Sequence, residues 1–226
     1  MVVLGKKYMA KQGLIAKAAT ILSKYCIFHN TVILSLVDNP RFMNFCSQCG
    51  HGPLLYQIPV GDTRNRFICS NCKTIHYQNP KIVCGCLVFH EEKVLLGKRD
   101  IEPRRGKWNL PAGFMENGET VMQGAAREVW EEMRAKVTID RLHTVYNISH
   151  VNQVYFLFLA RLDEPNFAAA DETTEVRLFD LDEIPWKELA FYSNHFALKR
   201  YLADPNFQGV HHGNNEVYML KVQEEE

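Results

Sequence analysis

Two groups of side chains in this sequence have types and spacings that could do chemistry. The first is sulfur. Cys46 and Cys49 form one CxxC pair, and Cys69 and Cys72 form a second after residues 50–68. A CxxC turn places two thiolates on one side of a tight backbone, so two such turns complete a tetrahedral four-sulfur zinc site. Gly50 after the first pair and Asn71 inside the second suit those turns. Residues 43–80 hold too few apolar side chains for a core of their own, so a structural Zn2+ would supply the folding energy. Four unliganded thiols or two disulfides compete with this reading. The absence of a secretory signal core disfavours disulfides. A closed four-cysteine site has no open coordination position, which makes the unit structural rather than catalytic.

The second group is carboxylate. In "GFMENGETVMQGAAREVWEEMRA", residues 113–135, Glu128, Glu131 and Glu132 stand three and four apart or adjacent. On one helix they share a side, where like charges cost about a few tenths of a kcal/mol per pair. Arg127 is the cation beside them. A solvated acidic face is the ordinary meaning of such a run.

What must position these carboxylates is a helix from Thr120 to Met133. Thr120 is its N-cap, and Gln123 three residues on completes a capping box. Val121, Ala125, Val129 and Met133 form an apolar stripe, with Met122, Ala126 and Trp130 beside it, facing a core. Upstream, "IVCGCLVFH" and "EEKVLLGKR" read as two strands joined at Glu91–Lys93, with Cys84 and Cys86 as small buried hydrophobes. "EPRRGKWNLPAGF" is a loop rich in Pro and Gly. Downstream, "VYFLFLARL" and "EVRLFDL" are strands, "KELAFYSNHFALKRYLA" a closing helix, and "NEVYMLKV" a last strand before an acidic tail. Four segments follow: an extension over 1–42, a zinc ribbon over 43–80, an α+β domain over 81–210, and a strand with an acidic tail over 211–226.

Composition limits the partners. Lys+Arg and Asp+Glu both number 26, so the net charge is zero. That balance disfavours a dedicated nucleic-acid binder, which needs a basic excess. No apolar run approaches the roughly 18 residues that cross a bilayer. Residues 1–42 carry lysines and no acid before Asp38, with no continuous signal core. An organelle presequence, an extra helix and an upstream translation start compete for this segment. The last is favoured, because Met43 precedes the first module and Arg is absent before Arg41. The expectation is a soluble cytoplasmic protein, with a homodimer left open.

The spacing of Gly113, Glu119 and Arg127-Glu128-Val129-Trp130-Glu131-Glu132 resembles the Nudix box, G-x5-E-x7-R-E-U-x-E-E-x-G-U with U aliphatic. The lead-in "GKWNLPAGF" fits the same family, and the resemblance covers about residues 81–203. It implies an α/β/α sandwich with a mixed sheet, here preceded by the zinc ribbon. It implies that Mg2+ or Mn2+ sits among the carboxylates, with Glu128 and Glu132 as principal ligands, Glu131 assisting and the Gly113 carbonyl adding a ligand. Arg127 would then be structural, orienting the glutamates and pairing with Glu119. The general base implied is a box glutamate (Glu131 or Glu132) or a later carboxylate, Glu175, with Glu172 its rival. Two positions depart from the pattern: Arg134 replaces a Gly near the box end, and Ala112 replaces the Gly before Gly113.

The implied reaction is hydrolysis of a nucleoside diphosphate linked to another moiety, releasing a nucleoside monophosphate. The layout resembles bacterial and plastid-type enzymes that act on FAD and ADP-ribose. The S-Q-P-W-P-F-P signature of the NADH pyrophosphatases is missing, with "LAFYSNHFAL" in its place. Arg99, Trp108 and Phe114 are candidate substrate contacts, as are Trp186 and Tyr192 for stacking on a ring. Core packing is the competing role for these aromatics. A nucleotide-sensing binding protein and a zinc-ribbon nucleic-acid adaptor are the alternative functions.

Overall fold

The computed structural model describes residues 43–215. The 1–42 extension, and the strand and tail expected beyond residue 215, lie outside the described residues. Contacts divide the chain into two compact units. The smaller includes residues 43–56 and Ile68–Thr74, and the larger comprises Gln57–Phe67 and the chain from Ile75 onward. Strands β1 (Leu55–Gln57), β2 (Arg66–Ile68) and β3 (Ile75–His76) form a three-stranded sheet in that order.

The second sheet contains β4 (Lys81–His90), β5 (Lys93–Arg99), β8 (Val137–Ile148), β9 (Gln153–Leu162), β10 (Thr173–Asp180) and β11 (His211–Asn214). Its order is β10-β5-β4-β9-β8-β11. Two short strands branch from it, β6 (Trp108–Asn109) on β5 and β7 (Ala112–Phe114) on β4. The sheet is mixed, as expected: β4 runs parallel to β9 and antiparallel to β5 and β7. Helices α1 (Val121–Met133) and α2 (Tyr192–Ala203) cover its opposite faces.

Side-chain alternation along the strands sorts the core between those faces. Cys84, Cys86 and Val88 of β4 join Leu95, Phe158 and Ala160 under Ala125, Val129 and Met133 of α1. Leu87 and Phe89 join Leu96, Leu157, Leu159 and Phe179 under Ala197 and Leu198 of α2. The two cysteines are fully buried, as small hydrophobes should be.

One feature that positions the site is a change of partner along β4. Val83–Gly85 pair with β7, whereas Val88–His90 pair with β5. The closing helix is shorter than the sequence indicates. Trp186–Glu188 form a 3-10 turn and α2 begins at Tyr192. The twelve-residue strand β8, which sequence reading passes over, fills the space between β9 and β11.

Candidate functional site

In the smaller unit, the four expected thiols converge. Their sulfurs all lie within 4.8 Å of one another, with Cys46–Cys72 and Cys49–Cys69 each 3.6 Å apart. A tetrahedron of thiolates about 2.3 Å from Zn2+ has edges of about 3.8 Å, so the set fits that ion. The two turns match: the Gly50 amide donates to the Cys46 carbonyl and the Lys73 amide to the Cys69 carbonyl. Gly50 and Lys73 both take positive φ, 72° and 62°. In the second turn it is therefore Lys73, not Asn71, that absorbs the tight backbone. Asn71 instead aims its side-chain amide at the Cys49 sulfur, 3.7 Å away.

In the larger unit, α1 opens on the expected capping box. The Gln123 amide donates to Thr120 Oγ1 at 3.2 Å, and the Thr120 amide to Gln123 Oε1 at 2.8 Å. The buried stripe, however, runs along Gly124, Ala125, Glu128, Val129 and Met133. Met122 and Trp130, expected beside the core, are 46% and 44% exposed. Gly124 explains the rotation. A Cβ there would stand 2.6 Å from Cys84 Sγ, so the bare backbone lets this side of the helix close on β4. Glu128, one turn later, is carried toward the sheet with it.

Arg127 then organises the acids. Its Nε and Nη2 hold Glu119 by two parallel hydrogen bonds of 3.0 and 2.8 Å. Nη1 donates to Glu128 and to Glu131, each at 2.8 Å, and Nη2 also donates to the Phe114 carbonyl at 3.0 Å. All five N–H groups of the guanidinium are thereby used. The Arg127 guanidinium holds the Glu119 carboxyl down at about 2, helped by the Glu116 amide. The Glu128 carboxylate lies against Gly113, where a Cβ would collide with it.

Glu132 belongs to a different half of the site. As a residue it keeps some exposed surface, yet its carboxyl is deep enough that burial pushes it up to about 8, with Glu128 adding repulsion. The Ala112 amide donates to it, and the charge of Arg99 favours its ionised form. Burial also raises Glu128 against the pull of Arg127. Two hard oxygen donors withdrawn from water, with only Glu128 of the two ion-paired to Arg127, suit a divalent cation. Among the described residues the four thiols are the converged donor set; Arg127 draws Glu128 and Glu131 to itself.

Of the two later carboxylates, Glu172 lies near enough to raise Glu132 further. It is anchored through its carbonyl, which accepts from the Asp100 amide at 2.9 Å. Glu175, preferred from its place before the strand, faces away. It stands opposite Lys98 and pairs with it at 3.9 Å. Phe179, on the same side of β10, packs under α2, while Val176 and Leu178 pack toward α1. A register shift between Thr173 and Glu175 sets this orientation.

The aromatic candidates also divide. Trp108 is 8% exposed and meets Phe179 edge-to-face at 4.8 Å, so it is core rather than a stacking surface. Phe114 is 46% exposed, with the Lys81 amine 4.8 Å from its ring centre. Tyr192 is exposed and stacks on His195, which also meets Trp186. Arg99 lies over Phe191, whose role the sequence does not announce.

The comparisons agree with this geometry. Residues 79–201 match the NUDIX domain family, and residues 44–78 match the zinc-ribbon family described as Nudix N-terminal. A NUDIX hydrolase from Nitrosomonas europaea superposes with a TM-score of 0.73 at 52% identity, covering 76% of this chain and 98% of that one. An ADP-ribose pyrophosphatase from Methanocaldococcus jannaschii is 31% identical over 121 residues, 51% of this chain and 69% of the relative. The NAD-capped RNA hydrolase NudC of Salmonella paratyphi C is 29% identical over 154 residues, 67% of this chain and 57% of the relative. The chain thus spans little more than half the length of the NudC relatives it matches. Among the described residues no helix is long and apolar enough to cross a membrane. With the box, its arginine network and the sandwich in place, the chain belongs to the Nudix hydrolase family, with a zinc-ribbon module ahead of the Nudix domain.

Proposed function

We propose that this protein hydrolyses the diphosphate bond of a nucleoside diphosphate linked to another moiety, using Mg2+ or Mn2+, and releases a nucleoside monophosphate. ADP-ribose and FAD are the favoured substrates. The observation that carries the reading is that Glu128 and Glu132 repel one another with both carboxyls raised by burial, while Arg127 binds Glu128 and leaves Glu132 without an ion pair among the described residues. Such a pair is costly without a cation and useful with one. The Methanocaldococcus relative, named an ADP-ribose pyrophosphatase, supports the substrate class.

Glu128 and Glu132, assisted by Glu131 and the Gly113 carbonyl, would hold the metal. Bound there, it would polarise the phosphoryl oxygens and offset the charge that develops on them. Arg127 keeps Glu128 and Glu131 in place and Glu119 ionised beside them. A water attacks one phosphorus, the bridging P–O bond breaks, and the water's proton passes to a carboxylate. Glu172 is the proposed acceptor, because it comes from outside the box yet lies near Glu132. Phe114 offers an exposed ring face to the substrate.

The test is hydrolysis of FAD, ADP-ribose, NADH, nucleotide sugars, CoA and NAD-capped RNA by the full chain, with and without Mg2+. The last substrate is included because the Salmonella relatives carry that name. Metal-dependent release of a nucleoside monophosphate is expected, and Glu128→Gln and Glu132→Gln should each lower kcat by orders of magnitude. Turnover indifferent to EDTA would overturn the reading. Folded protein that binds these compounds without cleaving any would favour a nucleotide sensor.

A further inference from the structure

Two buried amides tie α2 to the strip of chain that carries Gly113. Asn109 on β6 and Asn194 on α2 are 5% and 3% exposed, and Asn194 Nδ2 donates to Asn109 Oδ1 at 2.7 Å. Their neighbours Trp108 and Leu110 on one side, and Ala197 and Leu198 on the other, belong to the apolar core under α2. An amide pair in such a place contributes little more than an apolar pair would. It is selective, however, because either amide without the other is a buried polar group with no partner.

What the pair selects is register. From Asn109 the strip crosses from β5 to β4 within a few residues, and β6 and β7 are only two and three residues long. Ladders that short hold phase weakly. The strip nevertheless tolerates one phase only. Gly113 lies opposite Cys84 and against the Glu128 carboxylate, where a Cβ would collide. A slip of one residue either way sets Ala112 or Phe114 there, and both carry that Cβ. The same slip sets Trp108 or Leu110 against Asn194 and strands its amide. The Trp108 carbonyl, which accepts from the Ala190 amide at 2.8 Å, fastens the same short strand to the chain entering α2.

We infer that Asn109 and Asn194 are positioning residues: their hydrogen bond pins the register of Asn109–Phe114, so that Gly113 and no other residue faces Glu128. This rests on the hydrolase reading above, in which Glu128 and the Gly113 carbonyl hold the metal. It assigns α2, on the opposite face of the sheet from α1, a part in keeping that site in shape.

Calorimetric titration of the full chain with Mn2+, and hydrogen exchange of residues 110–114 without metal, test the idea. Replacing the pair by leucines, Asn109→Leu with Asn194→Leu, leaves two apolar side chains of similar size, so the fold and Tm should hold. Mn2+ binding should still weaken about 10- to 100-fold, the usual cost of losing a group that orients a metal ligand. Exchange in the strip should rise with it. Asn109→Asp and Asn194→Asp place the same charge at the same contact and separate the bond from simple packing. At pH 8 the first keeps an acceptor for Asn194 Nδ2, whereas the second sets acceptor against acceptor. Asn194→Asp should therefore bind Mn2+ about 10-fold more weakly than Asn109→Asp. Equal affinities in these two variants, or a leucine pair that binds Mn2+ and exchanges as the wild type does, overturn the positioning role. A fall in Tm alone is what a merely structural pair predicts, and it overturns the role as well. Should exchange in the strip rise in the variants while the wild type neither binds Mn2+ nor cleaves a diphosphate, the hydrolase reading fails and the register pin stands.

Discussion

The Glu128 carboxylate rests against the backbone of Gly113, leaving no room there for a side chain. Gly113 is needed for close approach rather than for a left-handed turn, since it is not among the positive-φ glycines. Gly113→Ala should therefore push Glu128 outward while leaving β7 paired with β4. A displacement of about 1 Å in such a group costs on the order of 100-fold in rate. Measuring kcat on ADP-ribose against thermal stability checks this. A variant with full activity would show that the position of Glu128 is not critical.

Glu172 and Glu175 make a controlled pair, three residues apart on opposite sides of a bulge. Glu172→Gln should lower kcat by about 100- to 10,000-fold, the range for loss of a general base. Glu175→Gln removes only an exposed 3.9 Å contact to Lys98 and should leave kcat within about two-fold. The reverse ranking would mean that the strand turns over in the working enzyme.

The four thiols should carry about one zinc ion per chain, read by elemental analysis. Removing it with a strong chelator should expose four titratable thiols and raise hydrogen exchange in residues 44–56 and 68–74 first, because little else holds them. Unchanged exchange there after zinc removal would mean that the turns fold without metal.

Much of this architecture is legible in the sequence wherever a feature is local. The capping box, the Glu119–Arg127 pair eight residues apart, the CxxC turns and the alternating cysteines of β4 all depend on near neighbours. Strand β8 is not legible because its alternation is broken. Register shifts at Ile139/Arg141 and Leu142/Thr144 accompany the burial of the polar His143 and Thr144 side by side, with Tyr146 beyond them. The side taken by Glu175 is hidden for the same reason, since one bulge decides it. Trp130 misleads because its size draws it to the core on paper. Gly124 and Cys84, 40 residues apart, settle which side of the helix goes in.

Arg134 offers a stability test apart from the chemistry. It ends α1 at φ 50° and ψ 26°, with its amide donating to the Trp130 carbonyl at 2.9 Å. A side chain in that conformation costs about 1 kcal/mol relative to glycine. Its guanidinium lies 5.8 Å from the Trp130 ring, an exposed contact of about 0.5 kcal/mol that offsets part of this. Arg134→Gly should raise Tm by about 1–3 °C by calorimetry, with unchanged kcat. A fall in Tm would mean that the Trp130 contact outweighs the backbone strain.

The last prediction follows from Glu132. Burial and the Glu128 charge raise its carboxyl from the ordinary 4.5 to about 8 in the folded chain without metal. Between those values the folded state keeps a proton that the unfolded state has lost. The stability that this proton contributes is therefore fully present below about pH 4.5 and is lost as pH rises toward 8. A divalent cation needs the ionised carboxylate, so it competes with that proton and binds better as pH rises. The increase in Tm caused by Mg2+ should be small at pH 5.5 and grow steadily to about pH 8. Glu132→Gln cannot ionise, so in this variant the pH slope without metal should flatten and the Mg2+ effect should shrink at every pH. Scanning calorimetry of both proteins from pH 5 to 9, with EDTA or Mg2+, reads all four curves. A Mg2+ effect independent of pH, or one that survives intact in Glu132→Gln, would place the metal away from Glu132.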